Sequence, residues 1–439
     1  MRIIYITAGA GRMYCGSCLR DGALASELLK QGNDVLFVPL YTPLRTEGED
    51  VTVDELFYGG INVYLEQKFS LFRHTPRFVD HLFENKSLLL FVARFGHLTA
   101  AEDLAEMAIS VLEGEEGRQR KELERLVAWL QTQPAPDVVL LPNSLLAGLA
   151  GPICERLKRP VLCLLSGENF FIDEFPEPYR SLAREELQRH AAVMNGFIAP
   201  NRFYAEFMAD YLGVAREKCH VVPLGIDCSG YPREQPQPPG IFTIGYLARI
   251  LPPKGLHVLA EAFRILKSDP ETSSCRLRVA GYLGPEYRPY FDAIRAEIRR
   301  WGLEDSFEHA GELDREGKIR FLSSLSVLSV PAVHPESKGQ FVPEALAAGT
   351  PVVLPRVGCF PEWIEATGGG LLVEPNNPNS LAEGLARLMK DAPLARGMGR
   401  AGHEAVHANF TIARMASALI ESLGRISESS RLDPAGQFR

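Results

Sequence analysis

The chain has 439 residues, of which 46% are hydrophobic and 23% are charged, and its formal net charge at pH 7 is -8. This length exceeds what one hydrophobic core usually serves, so about two or three domains are expected. An acidic chain lacks the general basic face that nucleic-acid binding needs, and its apolar runs are broken well before the roughly 20 residues of a membrane span. We therefore expect a cytoplasmic protein with no nucleic-acid partner and no transmembrane segment.

The first forty residues predict a βαβ unit. The apolar strand "RIIYITA" leads through the glycine-rich loop "GAGRMYCGSC" into the helical pattern "LRDGALASELLKQG", which Gly32 should end, and then into the strand "DVLFVPL". The alternation returns with strands "PDVVLLPN", "RPVLCLLSG", "FIAP" and "CHVVPLG" and the helices between them. This repeat predicts a doubly wound parallel sheet.

Residues 50–130 fit that alternation less well and are interpreted as an elaboration of the first domain. It would either shape a substrate cleft or add helices that cover the sheet.

The stretch "SGYPREQPQPPG" contains the densest proline cluster in the chain and predicts an extended linker between two domains. A second series of strands and helices starts after it with "IFTIGYLAR" and continues to "SLAEGLARLMKD". The predicted division is a first domain over residues 1–234, a second over 235–407, a C-terminal helix over 408–428 and a loose tail over 429–439. Ligands of parallel sheets bind beyond the carboxyl ends of the strands, so the two sheets are expected to face each other across one cleft.

The eight cysteines do not indicate a disulfide scaffold in a chain of this length, and most lie in or beside apolar segments. Cys15 and Cys18 form a C-x-x-C pair, but no second pair or histidine cluster at zinc spacing follows. We interpret the cysteines as reduced, with a redox or metal role for this pair as the less favoured alternative.

Two basic residues follow the first strand of the second domain. Arg249 stands at the strand end and Lys254 at the predicted start of the next helix, so both could reach one dianionic group. The alternative is solvated surface charge, and the loops nearby favour phosphate binding over it.

The stretch "HPESKGQFVPEALAAGTPVV" places Glu336 and Glu344 eight positions apart. Pro343 is well placed as the first helical residue, so Glu336 belongs to the loop and Glu344 to the first helical turn. Helix-dipole compensation would explain Glu344 alone, and an exposed loop acid would explain Glu336 alone. Together they suit a ligand rich in hydroxyl groups, whose phosphates would meet free amides from Gly339 to Phe341.

These stretches, with "GYLARILPPKG" upstream and "GGGLLVEPNNPNSLAEGLARL" downstream, resemble the retaining glycosyltransferases of family 4, which carry an E-x7-E motif. The resemblance covers nearly the whole chain, including "HVVPLGIDCSGY" before the linker. It implies an α/β protein of the GT-B fold, with two Rossmann-like domains facing across a cleft. The first domain would bind the acceptor and the second the nucleotide-sugar donor.

The resemblance also implies a role for each matching residue. Arg249 and Lys254 would bind the diphosphate, Glu336 the hydroxyls of the donor sugar, and Glu344 those of the ribose. Gly16, in the loop after the first strand, would bring an amide close to the donor phosphate or the acceptor. The remaining candidates are His309, Gly311 and Leu313 of the loop "HAGEL", which would lie against the base, and Gly339, Gln340 and Phe341 beside the phosphates.

One position departs from the family pattern. Many relatives have a histidine after the strand that matches "PVLCLLSG", where this chain has Ser166, followed by Gly167 and Glu168. Three roles for Glu168 stay open: it assists in place of the histidine, it binds the acceptor, or it is an exposed acid at a strand end.

The predicted reaction is transfer of a sugar from a nucleotide diphosphate to an acceptor hydroxyl, with retained configuration and with protein cations in place of a metal ion. No cofactor is expected, and the acceptor would be a carbohydrate or a lipid-linked molecule, with peripheral membrane contact left open. One alternative is a nucleotide-sugar epimerase or a sugar phosphorylase on the same fold. Another is a non-catalytic protein that binds nucleotide sugars.

Overall fold

The structure is a computed structural model that describes residues 1–8, 16–41, 101–233 and 240–432. The glycine-rich loop before Gly16, the thiols of the C-x-x-C pair, the aromatic part of the predicted elaboration, the prolines at 234–239 and the tail from 433 lie outside the described residues. The chain divides into two compact units. Unit 1 is Met1–Pro223 with Met415–Arg439, and unit 2 is Leu224–Arg414.

Unit 1 alternates strands and helices as its sequence predicts. Its described elements are β1 Arg2–Thr7, α1 Gly16–Lys30, β2 Asp34–Pro39, α2 Ala101–Leu112, α3 Arg120–Thr132, β3 Val138–Leu141, α4 Ala150–Leu157, β4 Val161–Leu164, α5 Glu168–Asp173, α6 Tyr179–Val193, β5 Gly196–Ala199, α7 Arg202–Leu212 and β6 Cys219–Val221. Short 3-10 turns occupy Gly114–Glu116, Ser144–Leu149 and Arg216–Lys218.

Unit 2 repeats the pattern. Its elements are β7 Thr243–Leu247, α8 Leu256–Ser268, β8 Arg276–Ala280, α9 Arg288–Arg300, β9 Phe307–Gly311, α10 Arg315–Ser323, β10 Val327–Leu328, α11 Phe341–Ala347, β11 Val352–Pro355, α12 Phe360–Thr367, β12 Gly370–Val373, α13 Pro378–Lys390 and α14 Ala392–Asn409. Its 3-10 turns are Pro252–Lys254, Pro285–Tyr287 and Glu304–Ser306, and α15, Ile412–Leu432, returns the chain to unit 1.

Each unit contains a six-stranded sheet in which every described pairing is parallel. The strand orders are β2-β1-β3-β4-β5-β6 and β12-β11-β10-β7-β8-β9. All four residues of β3 and of β4 are buried, as expected where helices cover both faces of a parallel sheet. Each buried valine or leucine side chain of these strands stabilises the fold by about 1.5–3 kcal/mol. The predicted doubly wound parallel architecture is confirmed in both units.

The strand order reverses at one place in each sheet. In unit 1 the reversal lies between β1 and β3, and in unit 2 it lies between β7 and β10. At such a point the connections leave on opposite faces, so a crevice forms beyond the carboxyl ends of the two strands. Residues that follow these strands are therefore the first candidates for ligand contacts.

Several predicted element boundaries change in the structure. Gly16 is the first residue of α1 instead of a loop residue, and Lys254 closes a 3-10 turn two residues before α8. Helix α11 begins at Phe341, so the prediction that Pro343 starts it is wrong. Proline is tolerated as the third residue because the first N–H groups of a helix have no acceptor in the helix. The prediction that Gly32 follows the end of α1 is confirmed, with φ at 82°.

Over the residues that the structure describes, no helix is both long and apolar enough to cross a bilayer.

Candidate functional site

The turn after β7 lies against the loop after β10, at the reversal point of the second sheet. The amide of Val333 donates to the carbonyl of Pro253 at 3.0 Å. Gly255 has a φ of +73°, and a Cβ at this position would lie 1.8 Å from the carbonyl oxygen of Pro331. Only glycine fits this backbone conformation and this approach. The two segments are therefore fixed together before any side chain is considered.

Lys254 and Glu336 meet across this junction. The Nζ atom of Lys254 forms an ion pair with Oε2 of Glu336, although the residues are 82 positions apart in the chain. The Glu336 side chain is 9% exposed and that of Lys254 is 21% exposed. The pair thus places one cation and one carboxylate at the carboxyl edge of the sheet, largely shielded from water.

Glu336 is held in its ionised form. Burial by itself would raise the pKa of Glu336, but the charge and hydrogen bond of Lys254, the charge of Lys338 and the amide of Gly339 together lower it. The Gly339 amide, predicted from the sequence to face a phosphate, contributes here to the lowered pKa of Glu336. The carboxylate can accept hydrogen bonds from sugar hydroxyls at neutral pH.

The loop that carries Glu336 is held from its other side by the start of α12. The amide of Cys359 donates to the carbonyl of Glu336 at 2.9 Å. A Cβ on Gly358 would lie 2.4 Å from the nitrogen of Glu336, so the two backbones are in close contact. The indole Nε1 of Trp363 donates to the carbonyl of Lys338 at 2.9 Å. The backbone around Glu336 is thus fixed at three successive points.

Glu344 lies in the first turn of α11, as predicted, and is 7% exposed. Its Oε1 atom accepts from Nζ of Lys318 at 2.6 Å and from Nε2 of Gln340 at 3.3 Å. Lys318 belongs to α10, so this ion pair joins the helix after β9 to the helix after β10. The predicted acids Glu336 and Glu344 are each buried against a lysine.

Arg249 is exposed, two residues beyond the end of β7. Its carbonyl accepts from the hydroxyl of Tyr246 at 3.1 Å, and the next amide, that of Ile250, donates to Tyr282 at 2.9 Å. Among the carboxylates of the described residues, none forms an ion pair with its guanidinium. The backbone of Arg249 is therefore fixed while its charged group faces water.

The predicted base-binding segment is mostly strand. His309 and Gly311 belong to β9, so the loop predicted for "HAGEL" begins only after Gly311. The ring of His309 packs on Phe291 at 4.5 Å between centroids, and burial lowers the pKa of this imidazole. Leu313 is half-buried just before Asp314, whose side chain caps α10. Neither His309 nor Leu313 has a described contact with Glu336 or Glu344.

Glu168 and Gly16 lie in unit 1. Glu168 is 5% exposed, so the prediction that it could be an exposed acid is wrong. It is the first residue of α5, and its carboxylate accepts from the amides of Ser166 and Gly167 at 2.8 and 2.9 Å. Gly16 starts α1 after β1.

Three residues of the unit 2 site were missed by the sequence predictions: Lys318, Gly358 and Trp363. The sequence around Lys318 predicts a helix and that around Gly358 predicts a turn. A local pattern does not show which distant residue either of them contacts. Trp363 did carry a signal, because a buried indole N–H usually needs an acceptor.

A cavity of about 370 Å³ in unit 2 lies elsewhere. Its lining includes Phe242, Ser326 and Pro351, which directly precede β7, β10 and β11. It is therefore at the amino ends of these strands, opposite to the edge with Lys254 and Glu336.

Both halves of the chain match glycosyltransferase family models. Residues 231–405 match the model described as glycosyl transferases group 1, and residues 87–229 match the model described as glycosyltransferase family 4.

Curated relatives align over part of their length. The putative colanic acid biosynthesis glycosyltransferase WcaL of Escherichia coli is 33% identical over 181 residues, which are 40% of this chain and 43% of the relative. The D-inositol 3-phosphate glycosyltransferase of an Arthrobacter species is 32% identical over 274 residues, 60% of this chain and 61% of the relative. The chain thus spans less than two thirds of either relative.

Solved structures resemble the chain over nearly all of its length. Sucrose-phosphate synthase from Thermosynechococcus elongatus superposes with a TM-score of 0.68 at 16% identity, covering 98% of this chain and 100% of that chain. Anabaena Alr3699/HepE in complex with UDP gives a TM-score of 0.66 at 16% identity, with 97% and 100% covered. At this identity the likeness shows the fold, which is the predicted GT-B fold.

Proposed function

The chain belongs to the GT-B glycosyltransferases whose group 1 and family 4 models its two halves match, and from this we propose that it transfers a sugar from a nucleotide-diphosphate donor to an acceptor hydroxyl. The observation that carries the proposal is the ion pair of Lys254 with the buried Glu336 at the reversal point of the second sheet. A donor combines a diphosphate with a hydroxylated sugar. Lys254 would bind the diphosphate, and Glu336 would accept hydrogen bonds from the sugar hydroxyls.

The charged side chains of this site suit the step in which the bond between the sugar and the diphosphate breaks. As the bond between the sugar carbon and the diphosphate oxygen lengthens, negative charge grows on the diphosphate and positive charge on the ring. Lys254 and Arg249 would stabilise the diphosphate more strongly in the transition state than in the bound donor, which is the condition for catalysis. Glu336 would accept hydrogen bonds from sugar hydroxyls, and Glu344, held by Lys318, those of the ribose.

We propose retention of configuration through attack on the face from which the diphosphate leaves. The acceptor oxygen forms the new bond to the sugar carbon, the bond to the diphosphate breaks, and the departing phosphate oxygen takes the acceptor proton. Protein cations would supply the positive charge for this step, so the proposal includes no metal ion and no cofactor. Gly16 would place its amide near the donor phosphate or the acceptor, while His309, Gly311 and Leu313 would lie near the base.

The complexes of Anabaena HepE with UDP and with UDP-glucose make UDP-glucose the first donor to test. The relative named for colanic acid biosynthesis makes a carbohydrate acceptor the first choice, and a lipid-linked acceptor is tested second. A cytoplasmic location belongs to the same proposal.

The test is release of nucleoside diphosphate by the full chain from UDP-, GDP- and ADP-sugars, with and without carbohydrate acceptors. Wild type should release it in an acceptor-dependent way, while Arg249→Ala and Glu336→Gln should lose most turnover and keep a native circular dichroism spectrum. Arg276→Ala, which changes an exposed arginine at the opposite edge of the same sheet, is the matched control. Unchanged turnover in both site variants would remove these residues from the mechanism.

Product analysis in the same assay separates the alternatives. An epimerase would change the donor sugar without any acceptor, and a phosphorylase would depend on inorganic phosphate. A non-catalytic binding protein would bind the donor without turnover.

A further inference from the structure

The carboxylate of Glu168 joins three segments of unit 1 at the carboxyl edge of its sheet. Its Oε1 atom accepts from the amide of Ser144, after β3, at 3.0 Å. Its Oε2 atom accepts from the amides of Ser166 and Gly167, after β4, at 2.8 and 2.9 Å. The hydroxyl of Tyr204, on α7, is 3.2 Å from the same oxygen.

These contacts use most of the hydrogen-bonding capacity of Glu168. A carboxylate offers about four acceptor positions, and three backbone amides already donate to this one. The single hydroxyl proton of Tyr204 is shared, because its oxygen also lies 2.8 Å from Oδ1 of Asn169. The residue is also 5% exposed. Because its amide contacts join the segments after β3 and β4, Glu168 fixes the positions of these neighbours.

The neighbours that it fixes carry hydroxyl groups without partners. Among the described residues, no group forms a hydrogen bond with the Oγ atoms of Ser144 and Ser166, and both atoms are buried. Thr7, at the end of the adjacent strand β1, has a buried hydroxyl in the same condition. A buried hydroxyl without a partner destabilises a fold, so an absent partner is the usual explanation.

We propose that Ser144 and Ser166 bind a hydroxyl group of a neutral carbohydrate and that Glu168 is the positioning residue that presents them. Both serines follow strands at or beside the reversal point of the first sheet, where ligands of parallel sheets bind. A serine hydroxyl both donates and accepts, which matches another hydroxyl. The negative charge of Glu168 disfavours an anion, and the nearby cation of Arg20 is already paired with Asp21 at 2.6 Å.

Within the proposed function, on which this inference rests, the carbohydrate is the acceptor. The probe is methyl α-D-glucopyranoside, observed by saturation-transfer difference NMR on the full chain. Wild type should give a signal, and Ser144→Ala/Ser166→Ala should bind on the order of tenfold more weakly, as expected for lost hydrogen bonds. The same double variant should melt at the same temperature as wild type or higher, because it removes two buried hydroxyls that lack partners. Ser181→Ala, which removes an exposed hydroxyl on α6, is the matched control and should keep the signal.

Glu168→Gln tests the positioning role. Its side-chain NH2 cannot accept from an amide, so this variant should melt at a lower temperature and also lose the glucoside signal. Glu168→Asp keeps the charge and should recover part of the melting temperature and part of the glucoside signal. UDP binding, measured by calorimetry, should be unchanged in all of these variants, and its absence in wild type would instead count against the proposed donor site.

Two results would overturn the inference. One is the absence of any saturation transfer to the glucoside in wild type. The other is a double serine variant that melts at a lower temperature and binds the glucoside normally, because the hydroxyls would then serve the fold, for example through a buried water molecule.

Discussion

Lys254 and Glu336 show how a single pair of residues can both stabilise the fold and prepare a site. The carboxylate is buried, and a buried charge is tolerated only with compensation from a counter-ion and hydrogen bonds. Lys254 supplies the counter-ion, and the Gly339 amide supplies a further hydrogen bond. Donor binding would exchange part of this compensation for phosphate and hydroxyl groups.

Replacing Lys254 by Met should destabilise the protein by about 2 kcal/mol, less than the roughly 3–5 kcal/mol of a fully buried pair because Lys254 keeps some access to water. Without the lysine, burial should raise the pKa of Glu336 above that of an unfolded carboxyl. The free energy of unfolding of the variant should then increase as pH falls from 7 towards 5. In wild type the pKa of Glu336 is lowered, so its contribution is present above the unfolded pKa and is lost as pH falls through the folded value.

Chemical denaturation at several pH values measures both effects. The control is Lys254→Met/Glu336→Gln, which leaves no uncompensated charge and should regain stability at pH 7. If the free energy of unfolding had the same pH dependence in Lys254→Met and in wild type, the ion pair would not determine the pKa of Glu336.

Lys318 should affect the nucleoside part of the donor. It holds Glu344 at 2.6 Å, so Lys318→Met should leave that carboxylate less well placed for the ribose and weaken UDP binding about fivefold, the effect of about 1 kcal/mol. Inorganic pyrophosphate has no ribose and serves as the control ligand, whose affinity should not change. Equal weakening for both ligands, measured by calorimetry, would assign Lys318 to the phosphates instead.

The elements around the site position it through close backbone contacts. The start of α12 contacts the loop after β10, and the turn before α8 contacts the residues that directly follow β10. In both places a glycine with positive φ lies next to another segment. The site therefore depends on the packing of three connections and not on one motif alone.

Gly358→Ala should disturb this packing. A Cβ at this position would lie 2.4 Å from the nitrogen of Glu336, so the loop must move and donor binding should be lost. Gly368→Ala is a close control, because it has the same φ of +61° and its nearest neighbour would lie at 3.7 Å. Both variants should lose about 1 kcal/mol from backbone strain, and Gly358→Ala should lose roughly 1–3 kcal/mol more from crowding. If Gly358→Ala and Gly368→Ala had equal thermal stability and equal UDP affinity, the close contact between Gly358 and Glu336 would not be needed for stability or donor binding.

The strands and most helices could be predicted from the sequence because buried parallel strands are short apolar runs bounded by turn residues. Helix α14 was not predicted. It contains Gly397, Gly399 and Gly402, and glycine is a poor helix former. Gly402 is required by packing, since a Cβ there would lie 2.5 Å from Cδ2 of Leu346. The tertiary contact decides the local structure, and a sequence pattern does not contain it.

Only the local features of the candidate site could be predicted, because contacts between distant segments are not contained in a sequence pattern. The positions of Gly339 and Pro343 indicated that Glu336 is a loop residue and Glu344 a first-turn residue, and both positions are confirmed. That each acid meets a lysine depends on distant segments, Lys254 with Glu336 and Lys318 with Glu344. The burial of Glu168 also depends on three segments that only the fold brings together.

The two units have separate sheets and separate candidate roles. Hydrogen exchange with UDP present should show the strongest protection in unit 2, in peptides that cover residues 248–255 and 329–344. The reason is that amides around Lys254 and Glu336 would become ordered by the donor. Protection confined to the core strands of unit 1 would place the nucleotide elsewhere.

A nucleoside diphosphate is expected to bind at the edge of unit 2 where Arg249, Lys254 and Glu336 lie. Calorimetric titration of the full chain with UDP, GDP and ADP measures this binding, and Arg249→Ala is titrated in parallel. The prediction is saturable binding of at least one of the three and a loss of about tenfold or more in the variant, as expected for a charge-assisted contact of 1.5–3 kcal/mol. Binding that is equally tight in wild type and Arg249→Ala, or no binding of any of the three, would contradict it.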